Sequence, residues 1–134
     1  MNWKQILILS SLGLLMSFVT VYWVSAKVEP FLWLIVFFYS AYRLVSNIEK
    51  RSFLHGFYLG LINCVWMTVI HIALSGTYLS NHPKEAAQFL KLQSQTGATI
   101  TTWVLLTNIT AGILSALVLG LFTLMAAAYI KRLS

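Results

Sequence analysis

Residues 53–79 constrain the fold of this chain most, because they are apolar over a length that can cross a lipid bilayer. About 20 apolar residues in a helix span the ~30 Å hydrocarbon core. Small and polar residues recur in this stretch at steps of three and four, which places them on one helix face: Gly56, Gly60, Asn63, Met67, His71 and Ser75. In membranes such a face packs against other helices. We therefore predict that residues 53–79 form the central packing helix of a small membrane bundle.

The composition agrees with a membrane protein of one domain, residues 1–134. Charged residues make up 9% of the chain, against roughly 25% in a soluble domain. The net charge of +6 comes from basic residues at the ends of apolar stretches, which is typical of topology signals and headgroup contacts rather than of a nucleic-acid interface. We expect the lipid bilayer as a partner and no nucleic acid.

Three further apolar stretches complete a predicted set of four spans: residues 5–26, 31–48 and 100–130. The first has Trp3 at one end and Tyr22 and Trp23 at the other, as expected of aromatic residues at the two bilayer interfaces. Residues 24–26 also fit a signal-peptidase site. Two alternatives stand: a retained first span, which we favour, or a leader cleaved after Ala26 that leaves three spans.

The second and fourth predicted spans differ in the side chains available for packing against other helices. The second follows Pro30, which suits the start of a helix, and its many aromatic residues are expected to face lipid. Arg43 near its end is interpreted as a side chain that extends to the headgroups, with an intramembrane charge site as the alternative. In the fourth span Asn108, Gly112, Ala116 and Gly120 lie four apart on one face. Helix–helix contacts are therefore expected at Gly56, Gly60, Gly112 and Gly120.

Residues 80–97 form the one substantial hydrophilic segment. Asn81 to Pro83 is typical of a turn followed by a helix start, and residues 84–93 can form a short helix with an imperfect apolar face. A helix lying on the membrane surface and a solvated loop with some helical character both remain open.

Orientation follows from counting lysine and arginine near the spans. With four spans, one side holds Lys4, Arg43, Lys50, Arg51, Lys131 and Arg132, and the other holds Lys27, Lys84 and Lys91. The larger number favours both termini in the cytoplasm. We expect a multi-pass protein of the inner membrane with residues 80–97 outside.

His71 is the strongest candidate for a functional residue, because histidine within a span is uncommon. Its expected depth is near Tyr22 and Asn108, so a hydrogen bond to either would hold helices together. We expect His71 to be neutral at pH 7 and structural, with proton handling or ligand binding as the alternative. Asn63 is expected to form an interhelical hydrogen bond as well.

Several chemistries lack the residues that they need. Cys64 is the only cysteine, and no phosphate-binding loop or metalloprotease motif occurs. His55 and His71 lie on one helix about 24 Å apart by rise, so bis-histidine haem is not expected. Small multidrug exporters, also short four-span chains, depend on a glutamate within a span, whereas all three glutamates here are expected in connections: Glu29, Glu49 and Glu85. We expect no cofactor, no metal and no enzymatic activity.

The chain resembles an uncharacterised bacterial family of four-span membrane proteins. The features that carry the resemblance are the basic junction at residues 50–53, the glycine-bearing third span, residues 78–83 with the following helix, and the small residues of the last span. The family is a domain of unknown function, common in Bacteroidetes-type genomes. The resemblance implies an integral membrane protein and assigns no functional residues.

These observations predict an all-α, four-helix membrane bundle with a short helical segment outside the membrane between helices 3 and 4. The expected function is a non-enzymatic structural, accessory or regulatory component, present as a homodimer or in a larger membrane complex. The alternative is a dimeric transporter of a small solute or lipid, built around the polar face of residues 53–79.

Overall fold

The protein is all-α, as its sequence predicts. The computed structural model describes residues 1–48 and 50–133, and this part of the chain forms six helices and no strand. In chain order the helices are α1 (Trp3–Tyr22), α2 (Glu29–Val45), α3 (Ser52–Ala73), α4 (Ser75–Asn81), α5 (Pro83–Thr96) and α6 (Ile100–Leu133). Glu49, expected in a connection, lies outside the described residues.

Three described helices, α1, α3 and α6, are long and apolar enough to cross a membrane, whereas four spans were predicted. The difference is α2, which has 17 residues. At 1.5 Å rise per residue it is about 26 Å long, short of the ~30 Å hydrocarbon core. Its helix ends at Val45 rather than at residue 48, because the chain turns at Ser46 and Asn47.

The predicted third span is two helices rather than one. α3 ends at Ala73, and Leu74 leaves helical geometry with φ −111° and ψ 28°. The residues that follow are Ser75 and Gly76, both poorer helix formers than the apolar residues before them. The chain resumes as the short helix α4, so residues 53–79 do not form a single helix.

The core lies where α1, α2, α3 and α6 meet. Its buried members are Ile6, Leu9, Phe37, Ala41, Leu44, Leu59 and Leu119. The most extensive packing joins α3 to α6, α1 packs on another side of α3, and α2 packs mainly on α6. α4 contacts α1 and α5 contacts α6, so these two short helices cover one end of the long ones.

Glycines allow α3 and α6 to approach closely. A Cβ at Gly56 would lie 2.6 Å from the carbonyl oxygen of Leu119, and one at Gly60 would lie 2.8 Å from the Cβ of Ala116. Gly112 faces the side chain of Cys64 with no room for a methyl group. A Cβ at Gly120 would lie 2.8 Å from the ring of Phe53. All four predicted glycines therefore lie at the contact between α3 and α6.

Large apolar side chains cover much of the outer surface of the long helices. On α2 they include Phe31, Ile35, Phe38 and Tyr42, and on α6 they include Leu114, Leu121 and Met125. Such surfaces are compatible with lipid and unusual in a soluble protein. Within residues 80–97 the structure contains a helix, α5, which buries Phe89 and exposes Leu90.

Candidate functional site

His71 lies at the centre of a polar cluster near the end of α3. Its side chain is 2% exposed. Its Nδ1 is 3.3 Å from Oδ1 of Asn108 on α6, and its Nε2 is 3.0 Å from the hydroxyl of Thr20 on α1. The ring therefore connects three of the long helices.

Two hydrogen-bonding arrangements leave His71 uncharged with both ring nitrogens bonded. If Nδ1 carries the proton, it donates to Asn108, and the Thr20 hydroxyl donates to Nε2. If Nε2 carries the proton, it donates to Thr20, whose own proton goes to the Ser17 carbonyl 3.0 Å away; the amide of Asn108 then presents its nitrogen to Nδ1. Neither arrangement needs an acidic partner.

Aromatic stacking extends the cluster to α4. The ring of Tyr78 lies between His71 and His82, with centroid distances of 4.4 Å and 4.3 Å. Nδ1 of His82 donates to the Tyr78 carbonyl at 2.8 Å, and its buried Nε2 has no hydrogen-bond partner in the described part of the chain. Burial, followed by the charges of Glu29 and Glu85, raises the pKa of the Tyr78 phenol to about 12.

Thr20, rather than the expected Tyr22, is the α1 partner of His71. Tyr22 is 44% exposed and packs against Trp23. At about 100° per residue, two positions rotate a side chain by roughly 200°, so the two residues face opposite ways. A signal for Thr20 was present in the sequence, because α1 carries its own stripe at steps of three and four: Ser10, Gly13, Ser17 and Thr20. Tyr78 and His82 had a similar signal, since they follow His71 at seven and eleven positions, which is about two and three helical turns.

Asn63 does not make the interhelical hydrogen bond expected of it. Its side chain is 4% exposed, and neither its amide nitrogen nor its amide oxygen has a partner among the described residues. It packs against Gly13 of α1, where any Cβ would overlap the amide. The role that the structure gives Asn63 is therefore close packing of α3 on α1.

Glu29 lies elsewhere than the sequence suggested. It is the first residue of α2, and it lines a cavity of about 390 Å³ between α2, α3 and α6. Its Oε1 accepts a hydrogen bond of 3.2 Å from Nε1 of Trp33. Glu85 lies in the first turn of α5, within the connecting segment where it was expected. A carboxylate therefore lines an apolar cavity that is partly open to the surface, since Pro30, Leu34 and Ala111 in its wall are exposed.

His55 has bonds of its own at the other end of α3. Its Nδ1 donates to the Arg51 carbonyl at 2.9 Å, and its Nε2 accepts from the backbone N–H of Asn2 at 3.0 Å. The ring therefore ties the start of α1 to the start of α3. Among the described residues, no three His, Cys, Asp or Glu side chains come together as a group that would hold a metal ion.

Comparison with known protein families, curated proteins and solved structures finds no match for this chain.

Proposed function

We propose that the protein is an integral protein of the inner membrane with four spans, both termini in the cytoplasm, and a non-enzymatic role as a structural or accessory component of a membrane complex. The observation that carries this proposal is the His71 cluster. Both ring nitrogens are used to join α3 to α1 and α6, so this histidine serves packing. The resemblance to the four-span bacterial family supports the same topology.

Two features of α2 support counting it as a span: the apolar side chains on its exposed face and the basic residue near its end. Its exposed face is aromatic and aliphatic, and Arg43 lies in its last turn, where it can extend to the headgroups. A helix shorter than the hydrocarbon core is accommodated by local thinning of the bilayer and by flanking residues, at a modest cost. With α2 counted as a span, six lysine and arginine residues near the spans lie on the same side of the membrane.

Reporter fusions test the topology. With four spans, fusions after residue 46 and after residue 134 report cytoplasm, whereas fusions near residues 28 and 88 report the outer side. If α2 does not cross, residues 28 and 46 report the same side. Protein that begins at Lys27 would instead show that a leader is removed. Either result would overturn the four-span proposal.

The accessory role is tested by affinity purification of the tagged full-length chain from membranes in a mild detergent. We expect a partner protein at a fixed ratio, or a homodimer of defined mass. The proposal fails if the chain is monomeric and alone in several mild detergents.

A small-solute or lipid transporter is the second candidate, and the cavity between α2, α3 and α6 favours it. The test is uptake into liposomes that contain the purified protein. A pH-dependent transport signal near the reference histidine pKa of ~6.5, abolished by His71→Asn, His71→Gln and His71→Leu, would place this candidate first.

A further inference from the structure

The cavity between α2, α3 and α6 has the size and walls of a small-molecule site. Its volume of about 390 Å³ lies in the range of roughly 300–1,000 Å³ that such sites occupy. Trp33 and Phe37 line it from α2, Met67 from α3 and Ser115 from α6. The backbones of Gly60 and Gly112 also line it, at the place where α3 and α6 pack closely on each other.

Glu29 gives this apolar cavity a negative charge. Its carboxylate is half-buried and accepts one hydrogen bond, from Trp33. No ion pair joins it to a lysine or arginine in the described part of the chain. A carboxylate that is partly removed from water without a cationic partner is destabilised relative to one with a partner. A bound cation would supply that partner.

The aromatic wall suits the same kind of ligand. Trp33 is held on one edge by Glu29 and packs against Phe37, with ring centroids 5.8 Å apart. Cations bind favourably near the faces of tryptophan rings. Because Glu29 accepts a hydrogen bond from the N–H edge of the indole, a cation gains from this ring only where it lies over the ring face. The remainder of the ligand would contact apolar side chains.

We propose that this cavity binds an ammonium group carried on an apolar body, with Glu29 as its counter-ion. The titratable groups whose charges act on Glu29 are His82 and Glu85. Glu85 adds negative charge nearby and supports a cation, whereas a protonated His82 would oppose one. The inference rests on the cavity, and it holds whether or not the protein transports anything.

The ammonium group has two chemical sources: a free organic amine or quaternary ammonium ion, and the headgroup of an aminophospholipid. Both present the same charge to Glu29 and the same kind of apolar body to the cavity. They differ in whether the lipid around the protein competes with an added ligand.

The probe is benzyltrimethylammonium, and the measurement is calorimetric titration of the full-length protein in a nonionic detergent at pH 7.5. We expect saturable binding at one site per chain. Glu29→Gln should weaken binding about tenfold or more, because it removes the charge that faces the cation, while Glu29→Asp should retain it within a few-fold. Glu85→Gln, which changes a neighbouring carboxylate that does not line the cavity, is the matched comparison and should weaken binding several-fold less than Glu29→Gln does.

Neopentylbenzene replaces the nitrogen of the probe with carbon and so tests the charge alone. The native protein should prefer the cation, and Glu29→Gln should lose that preference. Ala111→Phe, which adds bulk at an exposed position of the cavity wall, should weaken both compounds. Equal binding of the probe to the native protein and to Glu29→Gln, equal binding of both compounds to the native protein, or no binding at all would overturn the proposal.

Titrations in lipid nanodiscs separate the two sources. If phosphatidylethanolamine raises the Kd of the probe relative to an uncharged glycolipid, which matches its zero net charge and lacks the amine, the aminophospholipid occupies the site. If the Kd is the same in both lipids, the ligand is a free amine. Each result supports an ammonium site and identifies its source.

Discussion

At the scale of single residues, His71 shows how a polar side chain is accommodated among apolar helices. A buried polar group is costly unless it is hydrogen-bonded. Thr20 and Asn108 bond its two nitrogens, and Tyr78 covers one face of the ring. His71 therefore contacts residues of α1, α4 and α6 as well as lying in α3. Its substitution should weaken the packing of all four helices.

Substitution of His71 measures the strength of this junction. Interhelical hydrogen bonds in membranes contribute about 0.6 kcal/mol on average and up to about 1.7 kcal/mol. His71→Gln should therefore lower the free energy of unfolding by less than about 1 kcal/mol, and His71→Leu by about 1–2 kcal/mol, because it leaves Thr20 and Asn108 without their partner. The measurement is unfolding in mixed micelles, with Ser11→Ala on the exposed side of α1 as control. A structural role is contradicted if His71→Leu is as stable as the native chain.

Tyr78 predicts a loss of stability in alkaline solution. Its pKa is about 12 in the folded protein against an ordinary value of 10.0, so between these values the folded state retains a proton that the unfolded state has lost. The free energy of unfolding should therefore fall as pH rises from about 10 to about 12. Tyr78→Phe should remove this part of the decline, whereas Tyr22→Phe, at an exposed tyrosine, should not. Equal slopes for the native chain and Tyr78→Phe would contradict the prediction.

At the scale of helices, the contact of α3 with α6 depends on residues that lack side chains. Gly56, Gly60, Gly112 and Gly120 each face an atom of the other helix at less than ordinary contact distance for a Cβ. Without hydrophobic driving force in lipid, association rests on such van der Waals packing. This pair of helices is therefore the part of the fold most sensitive to added bulk.

Gly60→Leu and Gly112→Leu should each lower the free energy of unfolding by about 1–3 kcal/mol, since overpacking separates the backbones. Gly76→Leu is the matched control, because no atom lies within 4 Å of its added Cβ and leucine is the better helix former. Unfolding in mixed micelles gives the comparison. If all three variants are equally stable, the close approach of α3 and α6 does not contribute.

The sequence predicted the helical class, the packing faces and Asn108 as a partner of His71. It located helix ends poorly and missed Thr20, the partner of His71 on α1. Length and hydropathy located α1, α3 and α6, because apolar runs of that length have few alternatives. Length and hydropathy did not predict the break at Leu74, since hydropathy contains no information on a change of backbone angle between two helices. The sequence did not identify Glu29 as a cavity residue, because its position depends on how α2 packs against α3 and α6. Such a tertiary contact leaves no pattern in the local sequence.

At the scale of the whole molecule, the long helices differ in length relative to the thickness of a bilayer. α6 has 34 residues, which is about 51 Å at 1.5 Å per residue, well beyond the ~30 Å core. With Lys131 and Arg132 at the cytoplasmic surface, the first part of α6 stands outside the membrane in the proposed topology. That part is contacted by α5 and carries a run of threonines.

Cysteine labelling tests this placement. In a Cys64→Ser background, Thr101→Cys should react with a membrane-impermeant maleimide added from outside, because residue 101 is exposed and lies beyond the bilayer in the proposed topology. Leu121→Cys, equally exposed on the surface of α6, should stay unlabelled because lipid covers it. Labelling of Leu121→Cys from outside, or of Thr101→Cys only from the cytoplasm, would contradict the proposed topology.

The pairing of α3 with α6 also sets the order in which the chain can be completed. A ribosome makes α3 before α6, so α3 is complete while its chief partner is still unmade. Until α6 is made, the surface around Gly56 and Gly60 lacks the helix that packs against it, and Asn108 is not there to bond His71. Each round of synthesis therefore passes through an open intermediate of the first three long helices. Among the described helices, α6 is therefore the one that closes this intermediate.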